Sequence, residues 1–198
     1  SADPCIWKEL IGTGIFQGIT TNPTLLLQAG QACDLANIKL LTKEAQSLGY
    51  KELHIQAWGK TSNELTKCGI AISKLESRSL KIHVKIPLTK EGCSAAFNLI
   101  KANKSITFTA CFNIEQALIA ASLGTTYVAP YLGRINDQGR DGTAEIITMQ
   151  KTLQNIQSDT RLLIASIREI DDLIKLAQEG INTFAISPII TIITNYNN

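Results

Sequence analysis

The chain has 198 residues, 44% of them hydrophobic and 18% charged, enough apolar content for one globular domain with a full core. A net charge of +2, dispersed along the chain, argues against a nucleic-acid partner, and no apolar run approaches the roughly 18 residues a membrane span needs. Five cysteines without a C-x-x-C pair and only two histidines argue against a disulfide framework and a zinc site, and favour a reducing, cytoplasmic setting.

The opening SADPCIW lacks the basic-then-apolar pattern of a signal peptide. Asp3-Pro4 instead reads as a helix cap with proline at the first helical position, leading into Ile6–Leu10. Strand-like runs then follow at Phe16–Asn22, Glu52–Trp58, Lys81–Pro87, Ile106–Phe112, Thr126–Leu132, Arg161–Ile167 and Thr183–Pro188. Helical patterns lie between them, among others at Asp34–Leu48, Ser62–Leu75, Glu91–Ala102, Ile114–Leu123 and Ala144–Ile156. Gly49, Gly124 and Gly180 stand where helices should stop. This alternation predicts an α/β fold, a parallel sheet covered by helices, in a single domain over residues 1–198. A closed (β/α)8 TIM barrel needs eight strands. Seven are visible, so either the barrel is open or its first strand is missing from these residues; the second reading is preferred.

Side chains two apart on a strand share a face, and barrel enzymes place chemistry at strand C-termini. Thr20 with Asn22, then Gln56, Lys85, Thr109, Tyr131, Ser166 and Ser187 put polar groups near those ends. Lys85 is central. It is either an edge or snorkelling lysine, or a desolvated amine whose neutral form attacks a carbonyl. Gln56, Thr109 and Tyr131 would then hydrogen-bond around the reacting oxygen, although Gln56 or Thr109 alone reads as a satisfied core polar group. Arg134, in the glycine-rich GRINDQGRDG, is either solvated or a phosphate clamp, with Ser166 and Arg168 near the usual phosphate end of a barrel. Arg140 and Asp141 read as loop and cap residues, and His54 and His83 as interior packing below the site.

GITTNPTLL (Gly18–Leu26), HVKIPLTKEG (His83–Gly92), TACFNIEQAL (Thr109–Leu118), TTYVAPYLGR (Thr125–Arg134) and LLIASIR (Leu162–Arg168) resemble the transaldolase family. The resemblance is to its small members, which include fructose-6-phosphate aldolase, and it covers essentially the whole chain. It implies a (β/α)8 barrel with no metal and no organic cofactor, a sugar phosphate substrate and a homo-oligomer. Lys85 would be the Schiff-base lysine, cleaving a ketose phosphate such as fructose 6-phosphate between its third and fourth carbons. Glyceraldehyde 3-phosphate would leave, with a dihydroxyacetone unit kept on the lysine. Thr20 and Asn22 would bind the donor end, Arg134 and Ser166 the phosphate, and Thr109 a proton-relaying water.

Transaldolases proper place a glutamate where this chain has Gln56, and usually Pro-Phe where it has Pro130-Tyr131; both differences resemble the aldolase branch. Glutamine only orients a water, so Tyr131 would share the acid–base work. Cleavage is therefore expected ahead of transfer to erythrose 4-phosphate. The family's first-strand aspartate would fall just before Ser1, and its subunit-joining C-terminal helix would follow Thr194–Asn198. A non-catalytic sugar-phosphate-binding barrel is the alternative from another class. A metal-dependent lyase is disfavoured, because the sequence offers no His or carboxylate cluster to bind a metal.

Overall fold

Helices and parallel strands alternate in the computed structural model, which describes residues 1–188. Two compact units form: Ser1–Ile86 with Lys90–Ile106, and Pro87–Thr89 with Thr107 onward.

In the first unit, α1 (Pro4–Ile11) opens as predicted, with the Asp3 carboxylate accepting from Cys5 N at 2.8 Å. Strands β1 (Gly18–Thr20), β2 (Glu52–Gln56) and β3 (Lys81–Pro87) pair in chain order. Helices α2 (Pro23–Gln28), α3 (Leu35–Ser47), α4 (Ser62–Ser73) and α5 (Lys90–Lys101) fall between and after them. Such helical crossovers are what parallel pairing requires. The register sets Thr20 opposite His54, His54 opposite His83, and Gln56 opposite Lys85.

One strand face is apolar: Leu53 and Ile55 on β2, and Ile82, Val84 and Ile86 on β3, are all buried. The alternate residues, Glu52, His54 and Gln56 with Lys81, His83 and Lys85, occupy the other face. Helix α4 lies close to its neighbours because Gly69 has no side chain. A Cβ there would meet Leu99 Cδ1 at 2.7 Å and Val84 Cγ1 at 3.2 Å. Thr61 and Glu64 close a reciprocal capping box at the start of α4.

In the second unit, β4 (Ile106–Cys111), β5 (Tyr127–Pro130) and β6 (Arg161–Leu162) are again parallel. They are joined by α6 (Ile114–Leu123), α7 (Leu132–Asn136) and α8 (Gly142–Asn155), and α9 (Ile170–Gln178) follows. Between Phe108 and Cys111 the β4–β5 register slips, and Ala110 adopts φ 60°. That is a β-bulge.

Six strands thus form among the described residues, three in each unit, in an α/β arrangement; the expected eight-stranded closed barrel goes beyond them. Two strand expectations are corrected. Arg161–Ile167 narrows to β6 plus isolated bridges of Ala165 to Tyr131 and Ile164 to Phe184. Thr183–Pro188 contributes only the Phe184 bridge, with Ala185 N donating to Ile164 O at 2.8 Å. After the Ala165 bridge, Ser166 at φ 59° takes the chain out of extended conformation, which closes the pairing of this segment. Helices α2, α7 and α9 join those named from the sequence. The expectation at Thr194–Asn198 lies outside the described residues.

Candidate active site

Lys85 sits on β3 with only 5% of its surface exposed. Its Nζ donates to Thr20 Oγ1 and to the Thr21 carbonyl, both at 3.0 Å. Lys81, four residues back on the same face, is exposed and pairs with Glu76 at 3.1 Å. The snorkelling alternative is therefore excluded for Lys85: its head group is inside. Burial pulls its pKa from 10.5 down to about 8. Among the described residues no carboxylate pairs with the amine, and the desolvation of its charged form prevails.

The surrounding strands explain the position. Beyond β1 the chain stays in register, Thr21 N donating to His54 O at 3.0 Å. This presents the Thr21 carbonyl and the Thr20 hydroxyl to a lysine two strands away. Gln56, half-buried, stands opposite Lys85 on β2. Asn22 follows at once, but its side-chain oxygen accepts from Leu25 N at 2.9 Å and caps α2. Its amide nitrogen remains to donate to a ligand. Thr20, Gln56, Lys85 and Asn22 are thus gathered in the first unit.

The remaining expected residues gather in the second unit. Thr109 Oγ1 and Tyr131 Oη lie 2.6 Å apart, a short hydroxyl–hydroxyl hydrogen bond. The bulge at Ala110 follows Thr109, and Tyr131 stands at the N-cap position of α7. Phe112 packs edge-on to the Tyr131 ring, centroids 5.8 Å apart. Arg134 is exposed on α7. Ser166 approaches the same helix through its backbone, its carbonyl accepting from Gly133 N at 2.9 Å. Only glycine fits at 133, since a Cβ would lie 2.6 Å from the Ser166 oxygen. Arg168 makes a two-pronged bond to Asp137, at 2.6 and 2.8 Å, which holds that carboxyl below its ordinary pKa. Positive φ at non-glycine residues is uncommon, and here it recurs beside Thr109 and at Ser166 itself.

Two features escaped sequence reasoning. The Thr21 carbonyl holds Lys85, yet a backbone acceptor leaves no side-chain signal. Glu52 joins the two histidines: its Oε2 lies 3.3 Å from His54 Nε2 and 3.6 Å from His83 Nε2. The histidine rings stack with centroids 4.4 Å apart, two residues below Gln56 and Lys85. Burial pulls the His54 pKa down. The available signal was positional, because Glu52, His54 and His83 fall on one face by period two.

No helix among the described residues is long and apolar enough to cross a membrane. Residues 2–192 match the family described as transaldolase/fructose-6-phosphate aldolase. A probable transaldolase of Chelativorans sp. (strain BNC1) is 30% identical over 181 residues, covering 91% of this chain and 80% of that one. A probable transaldolase of Phenylobacterium zucineum (strain HLK1) is 31% identical over 193 residues, covering 95% and 83%.

Among solved structures, a flavocytochrome b2 mutant superposes with TM-score 0.61 at 14% identity, covering 92% of this chain and 52% of that one. A mandelate oxidase gives 0.61 at 11% identity, covering 92% and 58%. The chain thus spans little more than half the length of these two proteins, and the likeness concerns the fold alone. The match over residues 2–192 and the relatives at 30–31% identity place this chain in the transaldolase/fructose-6-phosphate aldolase family, as an enzyme of the aldolase or transaldolase type.

Proposed function

We propose that the enzyme carries out Schiff-base aldol cleavage of a ketose phosphate, fructose 6-phosphate being the expected substrate, with Lys85 as the nucleophile. The observation that carries this reading is the buried, hydrogen-bonded Lys85 amine, whose pKa of about 8 leaves a substantial neutral fraction near neutral pH. The neutral amine adds to the substrate's second carbon and water is expelled, leaving an iminium. The C4 hydroxyl then loses its proton and the C3–C4 bond breaks. Its electron pair enters the iminium to give an enamine, and glyceraldehyde 3-phosphate departs. Protonation of the enamine at C3 and addition of water release dihydroxyacetone and restore the amine.

On this reading Gln56 orients the water, Thr109 and Tyr131 hold and move the proton, and Thr20 and Asn22 bind the donor end. The short Thr109–Tyr131 bond supports a relay, because each hydroxyl both donates and accepts. Arg134 and Ser166 bind the phosphate. The same reading takes residues 1–198 as one (β/α)8-type barrel domain, acting in the cytoplasm as a homo-oligomer without metal in its chemistry.

Lys85→Met tests the nucleophile: turnover of fructose 6-phosphate should fall to background while the circular dichroism spectrum is kept. A folded variant that still cleaves would remove Lys85 from the mechanism.

A second reading, transfer of the dihydroxyacetone unit to erythrose 4-phosphate, is favoured by the relatives named probable transaldolase. In that case the enamine attacks the acceptor aldehyde instead of taking a proton. Gln56 is the discriminating residue, since a glutamate there exchanges protons where glutamine only orients. Gln56→Glu should raise the ratio of transfer to free cleavage in a product assay; an unchanged ratio assigns the partition to another residue.

A further inference from the structure

We propose that Trp58 is a specificity-determining residue of the same site: its ring walls the three-carbon donor unit carried on Lys85, and its indole N–H donates to the C1 hydroxyl of that unit. This rests on the Schiff-base reading above. Trp58, Gln56, Lys85 and Thr20 all lie in the first unit. Gln56 ends β2 opposite Lys85, and the ladder runs one residue further, Ala57 N donating to Lys85 O at 3.0 Å. Ala57 is buried on the apolar face with Leu53 and Ile55. Alternation then turns Trp58 to the face of His54, Gln56 and Lys85. Two residues of extended chain advance about 6.6 Å. Trp58 therefore stands one tier beyond the amine, toward the strand C-terminal end at which barrel enzymes admit substrate.

The backbone around Trp58 is fixed. Its N–H donates to Cys68 Sγ on α4 at 3.5 Å. Gly59 follows at φ 150°, where a Cβ would lie 2.6 Å from that of Glu64. Lys60 N and Thr61 N both donate to the Glu64 carboxylate, at 2.7 and 3.1 Å. The side chain is left available. It is half-buried, and its indole N–H has no acceptor among the described residues. Trp7 differs on both counts, being buried with its Nε1 donating to Ser1 O at 3.3 Å. A tryptophan offers an apolar face and one hydrogen-bond donor, which suits carbon-bound hydrogens beside a hydroxyl. The chemistry selects C1. In the donor unit C2 carries the lysine nitrogen, and C3 must stay open to the aldehyde. The C1 hydroxymethyl is the end that a fixed wall can hold through the whole cycle.

The test runs the reaction in reverse, condensing glyceraldehyde 3-phosphate with dihydroxyacetone or with hydroxyacetone, which lacks the C1 hydroxyl. Trp58→Phe keeps an aromatic wall and removes the donor. Its kcat/KM selectivity for dihydroxyacetone over hydroxyacetone should fall about 3- to 10-fold, the worth of one neutral hydrogen bond, with an unchanged circular dichroism spectrum. A merely structural role would lower both donors alike. Equal losses with the two donors, or no loss with either, would therefore overturn the proposal. Borohydride trapping of dihydroxyacetone on Lys85 separates this result from the fate of the Schiff base. Trapping should occur in the parent and survive in Trp58→Phe. Its absence from the parent would bring down the Schiff-base reading, and the role of Trp58 with it.

Discussion

Desolvation disfavours the ammonium form of Lys85, and two hydrogen bonds fix where its nitrogen sits. The consequence for rate is direct. If the neutral amine is the attacking species, kcat/KM should climb with pH to about 8 and then level. A rise continuing past pH 10 would mean an ordinary lysine.

The consequence for stability has the same origin. Unfolded, the amine titrates at 10.5; folded, at about 8. Between these values the unfolded chain binds more protons, so raising the pH stabilises the fold. Below the folded value the full cost of burying the charge is present, on the order of 3 kcal/mol. Above 10.5 it is gone. Lys85→Met, inactive on this account, should therefore be more stable than the parent at neutral pH by about 1–3 kcal/mol. That advantage should vanish above pH 10.5 in urea titrations. A variant less stable at neutral pH would contradict the burial cost.

Backbone departures at strand ends set the second group of side chains. Ala110 occupies left-handed backbone at the β4 bulge, next to Thr109, whose hydroxyl meets Tyr131. A β-branched residue tolerates that conformation poorly. Ala110→Val should cost about 1–3 kcal/mol in denaturant unfolding, with a loss of activity that Ala110→Gly does not share. Equal behaviour of the two variants would show that the bulge is not strained. Helix β-strand boundaries were legible wherever the signal is local. Asp3, Asp34, Asn113 and Asp141 cap α1, α3, α6 and α8, and β3 forms over Lys81–Pro87 as predicted. Thr183–Pro188 has the composition of a strand, but among its residues only Phe184 finds a bridge, to Ile164, and composition carries no trace of which partner a segment meets.

For the molecule as a whole, alternation of strand and helix announced the α/β class, because helical crossovers are how parallel strands connect. Lys85 was legible for a related reason: a lysine amid His-Val and Ile-Pro on an interior strand has no cheap explanation. Inter-strand register was not legible. It decides that Glu52, His54 and His83 meet, and that Lys85 reaches back across β2 to Thr20 and Thr21. Asn22 shows the converse, a residue picked for ligand binding whose oxygen the fold spends on a helix cap.

The central claim, a covalent intermediate on Lys85, is tested most directly by borohydride reduction in the presence of fructose 6-phosphate, followed by peptide mass spectrometry. The account predicts a reduced three-carbon adduct on the peptide containing Lys85 and on no other lysine. A folded protein without an adduct there, or with the adduct on a different lysine, would contradict it.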